Sequence, residues 1–563
     1  MNLVKRVMGK KKHLSQAGLA LLSLLLPQLS YAAFGLTSTS DMYTIDTGAG
    51  LVFSVRRTDN GVSTQSAGDI TSLKYNGIEY QNKSRGTQIN AGFDWLYNGV
   101  SAVSVAATQV DSNSIKVTVQ AGNLTHYYLA RNGNPHIYMG TYFTEEPNIH
   151  GHVRYIMRLS SSLLPNGSAA ADLRNTTKTI ESSDIFGLAN GETRSKHYSN
   201  KRLKDWRYFG ATGNNVGMWI VRDNHEGGSG GPFYRSLLNQ VTSTDQELTY
   251  IVNYGEAQTE AFRTSILNTY TFVATNGQTP ATTIDTSWFS GMGLKGYVAP
   301  ANRGRVAGVG IKGRDAQSAY TVGFANSKAQ YWADANANTG YFNSNNMLPG
   351  TYIMTTYKNE LAVDSRSVTV QAGAAAIVNS YTPANDPASN SAIWRIGQWD
   401  GSPTEFLNGD RLTTMHPSDV RMSIWDQSNF IVGTSGNQHF PAYIWKDINN
   451  DHLIYFKLTD AQRANAHTLR IGLTCAFANG RPKISVNNWT SANPAASSQP
   501  STRTLTVGTY RCNNTTYSFN VPASAWKATA GDWNLLQLTV ISGSGSTGFL
   551  SAGISVDAID LLN

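Results

Sequence analysis

The chain has 563 residues, of which 15% are charged and 40% hydrophobic, a formal net charge of +8 and only two cysteines. Five of its cations, Lys5, Arg6, Lys10, Lys11 and Lys12, crowd the N-terminus, and without them the net charge is +3; that balance excludes the broad basic excess of a nucleic-acid binder or a membrane-surface protein. The length exceeds what one hydrophobic core holds, so two or three domains are expected.

In chain order, the basic start is followed by the short apolar run "AGLALLSLLLP" and then "LSYAA". This is the pattern of a secretory signal peptide over residues 1–32, cleaved before Ala33 and too short to span a bilayer. A soluble, secreted, extracellular protein is expected. Beyond it the pattern is all-β: in "SIKVTVQ", Ile115, Val117 and Val119 alternate with polar residues, and no long segment keeps a helical period. Frequent Gly, Asn, Ser and Thr supply the turns, so packed antiparallel sandwiches are expected.

A first sandwich is placed over 33–290. A compact unit over 291–381, from "LKGYVAPANRGRVAGVGIKG" to "LPGTYIMTTYKNELAVDSRSVTVQAG", has the size of a seven-stranded sandwich. The stretch "YTPANDPASNSA", Tyr381 to Ala392, has the composition of a linker. The third domain, 393–563, contains "TLRIGLTCAF", whose alternation puts Cys475 on a buried face. In an oxidising compartment Cys475 and Cys512 are expected to pair. The polar stretch "NNWTSANPAASSQPST" is expected to be an exposed insertion.

The segment with the strongest charge bias is "GETRSKHYSNKRLKDWRYFG", Gly191 to Gly210. It carries Arg194, Lys196, His197, Lys201, Arg202, Lys204 and Arg207 against Glu192 and Asp205. Such a run is either a solvated loop or a site for a localised anion, such as a substrate carboxylate. "HEGGSGGPFYR" lacks the Lys-Ser/Thr ending of a P-loop and is expected to be a tight turn. "DANANTG" (Asp334, Asn336, Asn338) and "DINND" (Asp447, Asn449, Asp451) have alternating oxygen ligands but not the Gly and distal acid of a calcium loop, so no metal site is assigned. Trp394, Trp399 and Trp425 are candidates either for core or for a sugar-stacking surface.

Six blocks in order, "FGLANGETRSKHYSNKR", "GGSGGPFYR", "NYGEAQTEAFR", "LKGYVA…GRVAG", "WRIGQWDGSPTEFLN" and "MHPSDVRM", resemble the rhamnogalacturonan lyases of polysaccharide lyase family 4. The resemblance covers essentially the whole mature chain. It implies a large N-terminal β-sandwich of the galactose mutarotase kind, a fibronectin type III-like middle domain and a C-terminal jelly-roll, carbohydrate-binding-like domain. It also implies β-elimination in the rhamnogalacturonan I backbone of pectin, with no cofactor required for catalysis, although a structural Ca2+ is compatible with it. A monomer with no nucleic-acid or membrane partner is expected.

The chemistry accounts for the cations. Removing the C5 proton beside a carboxylate builds charge that must be stabilised, and the step needs a base and an acid for the leaving oxygen. Carried over residue by residue, the family's essential lysine falls on Lys196 and its substrate-facing arginine on Arg154, which can clamp a carboxylate through two nitrogens. Lys196 is a base only if neutral, a state favoured by desolvation and nearby positive charge; protonated, it would be a second carboxylate neutraliser. The family's catalytic histidine is replaced by Glu256 in "NYGEAQTE", which can donate a proton only if burial keeps it neutral. Its paired tyrosines are replaced by Thr249 and Ile251. Arg194, His197, Tyr198, His225, Tyr250 and Tyr254 are expected around the substrate. His197, His225, Tyr250 and Tyr254 are alternative proton donors. A glycoside hydrolase would instead need two flanking acids, for which Glu256 with Glu260, or Glu145 with Glu146, are the nominal pairs; a non-catalytic pectin-binding protein would need neither.

Overall fold

The computed structural model describes residues 33–59, 65–96, 102–147, 149, 151–198, 201–235, 237–253, 260–425, 429–496, 498–499, 503–508, 512–541 and 546–563. The expected signal peptide lies outside them. Among the described residues no helix is long and apolar enough to cross a membrane.

The N-terminal domain is built around a seven-stranded antiparallel sheet facing a four-stranded one, with a five-stranded meander (Gly35 to Glu79) at its start. Alternation explains the packing. Ile115, Val117 and Val119, every second residue of the strand Ser114–Ala121, are fully buried. From the smaller sheet, Tyr155 stacks on His126 of the larger one with ring centroids 5.2 Å apart and planes 7° from parallel, and its hydroxyl meets that of Tyr128 at 3.1 Å. Burial holds the His126 imidazole down to about 3, so it is a neutral core group whose Nδ1 meets the Thr141 hydroxyl at 2.9 Å.

The middle domain is a sandwich of a four-stranded and a three-stranded sheet, seven strands in all. The C-terminal domain packs two five-stranded sheets. In its strand His467–Phe477, Leu469, Ile471, Leu473 and Cys475 point inward as the alternation predicts, and Cys475 is joined to Cys512.

The expected linker is pinned rather than free. Lys358 Nζ donates to both Asp386 oxygens at 2.8 Å, and Arg470 donates to the Pro387 carbonyl at 2.8 Å. Trp394, Trp399 and Trp425 are at most 7% exposed, which makes them core rather than a sugar-stacking surface. Their indoles fill the volume between sheets, and the Trp399 and Trp425 N–H groups are spent on Asp560 and the Pro417 carbonyl.

Candidate active site

The four-stranded sheet has an apolar face and a polar face. In the strand Val153–Ser160 the odd-numbered Tyr155, Met157 and Leu159 enter the core. Arg154, Ile156 and Arg158 point the other way, opposite Ile251, Thr249 and Glu247 of the strand Asp245–Asn253. The two arginines on this face differ in one respect. Arg158 is consumed by the fold: its Nε lies 3.2 Å from Glu247, which also takes Arg85 at 3.0 Å, and its Nη1 donates to the Gly86 carbonyl at 2.9 Å. The Arg154 guanidinium has no hydrogen-bond or ion-pair partner among the described residues, and its Nε is buried. A bulge between Val153 and Arg154 sets its direction, and Asn90 grips its backbone from both sides at 2.7 and 2.8 Å. Burial pulls this guanidinium below its ordinary value, while Glu247 and Asp184 oppose the shift. It remains a cation on the polar face of the sheet.

Beside this face stands a small antiparallel sheet, Lys178–Glu181, Ile185–Gly187 and Thr193–Ser195. The register pairs Ile185 with Ser195, so the next residues outward, Asp184 and Lys196, stand opposite each other. Lys196 Nζ is 2.8 Å from Asp184 Oδ1. The turn that delivers Asp184 is tight, with Ser182 and Ser183 both at positive φ. His197 Nε2 lies 3.9 Å from the same oxygen, an electrostatic neighbour too distant for a hydrogen bond. From the C-terminal domain, Arg503 donates Nη2 to Asp184 Oδ2 and Nη1 to Glu181 Oε1, the latter at 2.8 Å. Burial alone would raise the Asp184 carboxyl; His197, Lys196 and Arg503 outweigh it and hold the group well below the usual carboxylate range.

The N-terminal sandwich, residues 34–296, matches the family model described as rhamnogalacturonan lyase B, N-terminal. Residues 302–377 and 392–561 match those of polysaccharide lyase family 4, domain II and domain III. Rhamnogalacturonate lyase A of Emericella nidulans is 39% identical over 97% of this chain and 99% of its own length. The protein of the same name from Aspergillus aculeatus is 38% identical over 95% and 97%. The chain belongs to polysaccharide lyase family 4.

In this family 4 lyase the structure brings Arg154, Lys196 and His197 together around Asp184. Other expected site residues stand elsewhere. Tyr198 is 2% exposed and donates its hydroxyl to the Thr506 carbonyl, so it ties two domains together rather than facing substrate. Tyr250 falls between Thr249 and Ile251 on the core face of its strand and stacks on Tyr270 at 4.0 Å; strand alternation keeps it off the polar face. His225 is half-buried and stacks on Trp332 of the middle domain at 3.9 Å, where desolvation and Arg222 hold it well below the ordinary imidazole range. Arg194 is occupied by Glu192 at 2.8 Å. Tyr254 and Glu256 lie outside the described residues. Of the nominal hydrolase acids, Glu260 is tied to Arg263 at 2.5 Å and to the Gly230 amide at 2.7 Å.

The basic run is thus neither a solvated loop nor wholly an anion site. Lys204 pairs with Asp334 of the middle domain, and Arg202 with Asp205 and Glu360. "HEGGSGGPFYR" is the expected turn: Gly231 donates to Gln330 at 3.1 Å, and at Gly227 a Cβ would meet Asn268 Oδ1 at 2.0 Å. The calcium-like runs are spent locally. Asn336 caps its own turn, accepting the Asn338 amide at 2.9 Å, and Asn449 accepts the Trp445 amide at 2.9 Å. Among the described residues no three His, Cys, Asp or Glu side chains are grouped to hold a metal. Sequence reasoning missed Asp184 and Arg503. Asp184 required the hairpin register, and Arg503 directly follows the polar stretch read as an insertion, some three hundred residues from its partner.

Proposed function

We propose that this family 4 lyase is a secreted enzyme that cleaves the rhamnose-(1,4)-galacturonate bond of rhamnogalacturonan I by β-elimination. The observation that carries the proposal is the Arg154 guanidinium on the polar face, without an ion-pair partner among the described residues and within electrostatic reach of Asp184, which holds Lys196. The curated relatives, named rhamnogalacturonate lyase, support the substrate class. Arg154 takes the galacturonate carboxylate in a two-pronged grip and stabilises the charge that grows there. Lys196, as the neutral amine, accepts the C5 proton. The electrons of the C5–H bond form C4=C5, the C4–O bond breaks, and the departing oxygen takes a proton. Glu256 is the expected donor. The product carries an unsaturated galacturonate at the new non-reducing end.

Only elimination makes a double bond conjugated with the carboxylate. Ultraviolet absorbance should therefore rise during digestion of rhamnogalacturonan I; chain scission without that rise would indicate hydrolysis and overturn the reading. With the Arg154 guanidinium at the carboxylate, catalysis needs no Ca2+. Exhaustive chelation should leave turnover nearly unchanged, and a loss restored by Ca2+ in folded enzyme would show that a metal does the work assigned to Arg154.

A further inference from the structure

A lysine paired with a carboxylate is held as the ammonium, which cannot accept a proton. Asp184 at 2.8 Å from Lys196 therefore works against the base role unless something else claims its charge. Arg503 is placed to do so. It reaches across the domain boundary, bonds the other Asp184 oxygen, and is itself fixed by Glu181 at 2.8 Å. Glu181 is fixed in turn by the Thr506 hydroxyl at 3.1 Å and stands 3.4 Å from His416 Nε2. The hairpin bearing both Asp184 and Lys196 is clamped by the same domain, since the Thr193 amide donates to Asp419 at 2.6 Å and the His416 amide to the Thr193 hydroxyl at 3.0 Å.

We propose that Arg503 of the C-terminal domain is a positioning residue for Lys196: it takes one of the two Asp184 oxygens, and by sharing that carboxylate it loosens its hold on the Lys196 amine, which acts as base. The inference rests on the lyase reading for its catalytic consequence, and it extends the active site into a domain otherwise expected to be an accessory module. The charged and titratable groups facing Asp184 are Lys196, His197 and Arg503, with Glu181 behind Arg503 and Arg154 within electrostatic reach. Removing Arg503 leaves Lys196 the principal cation on the carboxylate.

The test is made on the full chain with two readouts. The first is the rate at which an acylating reagent labels Lys196 at mildly alkaline pH, followed by peptide mass spectrometry; it requires no activity. Arg503→Met should slow labelling by roughly tenfold, the scale of one released ion-pair partner. The second is kinetic: the same variant should lower kcat by roughly tenfold with KM little changed, and Arg503→Lys should recover most of both. In an Asp184→Asn background, Arg503→Met should have no further effect on either readout, which also covers a single variant that fails to fold. Unchanged labelling in folded Arg503→Met, or equal loss with and without Asp184, would overturn the proposal. If the unaltered enzyme forms no unsaturated product, the lyase reading falls, while the labelling series still decides the Asp184–Arg503 coupling.

Discussion

At the scale of single residues, what separates a catalytic cation from a structural one here is whether the fold has already used its charge. Arg158 and Arg154 lie four residues apart on one face, yet Glu247 neutralises the first, and among the described residues no carboxylate pairs with the second. Lys196 and Lys204 each meet a carboxylate, but Lys204 joins the first two domains through Asp334 and the Thr321 hydroxyl, whereas the Lys196–Asp184 pair borders the face that carries Arg154. Lys196→Ala should lower turnover by about two to three orders of magnitude, the contribution of a general base or key electrostatic group, with binding retained through Arg154. Lys204→Ala should leave turnover close to normal and cost about 1 kcal/mol of stability, since its partner is largely exposed. Steady-state kinetics and thermal melts of the two variants check this. Comparable turnover losses in both would mean that the run acts as a diffuse field rather than through one amine.

Among the structural elements, the junction between the first and middle domains holds a carboxyl whose charge burial opposes. Asp223, immediately after the strand Val216–Arg222, lies at a cavity of about 190 Å³ between the first and middle domains. Burial pushes its carboxyl up from 3.8 to about 7, against hydroxyls of Thr271 and Thr269 that favour the charged form. An acid whose folded value is raised stabilises the fold fully below its unfolded value and loses that contribution as pH rises through the folded one. The window is therefore about pH 4 to 7, and the loss is on the order of 4 kcal/mol. Asp223→Asn, which keeps an acceptor for Thr271, should flatten the fall in melting temperature across that window; an unaltered slope would assign it to other groups. The Cys475–Cys512 bond closes a 37-residue separation in the C-terminal domain. Replacing both with Ser should cost about 4 kcal/mol on the chain-entropy scale. Turnover should persist below the lowered melting point, and its loss in folded protein would tie the bond to the site.

For the whole molecule, the parts legible in the sequence were those set by local alternation. The buried triplet Ile115, Val117, Val119 and the inward Cys475 follow from a period of two, and the seven-strand middle unit from the size of its segment. What escaped was set by pairing between distant segments: Asp184 opposite Lys196, Arg503 on Asp184, and Tyr198 on Thr506. Charge composition shows that cations cluster but not which carboxylate each one meets. Those long-range pairs make the three domains mechanically one. Glu360 of the middle domain shows it most directly: it takes Arg235 of the first domain at 2.7 Å and Arg202 at 3.5 Å, while its backbone N–H donates to the Asp400 carbonyl of the third at 2.8 Å. With its side chain only 12% exposed, Glu360 if removed leaves Arg235 without a carboxylate among the described residues and Arg202 with Asp205 alone. Glu360→Gln should therefore cost about 2 to 3 kcal/mol, at or below the range for breaking buried pairs because both arginines keep some contact with water. The unaltered enzyme should unfold in a single calorimetric transition, and this variant should show an earlier, partial one as the first domain separates from the other two. A single transition at the original midpoint would place the coupling in the Asp184, Asp419 and Glu181 contacts instead, and would make the active-site hairpin itself the joint between the domains.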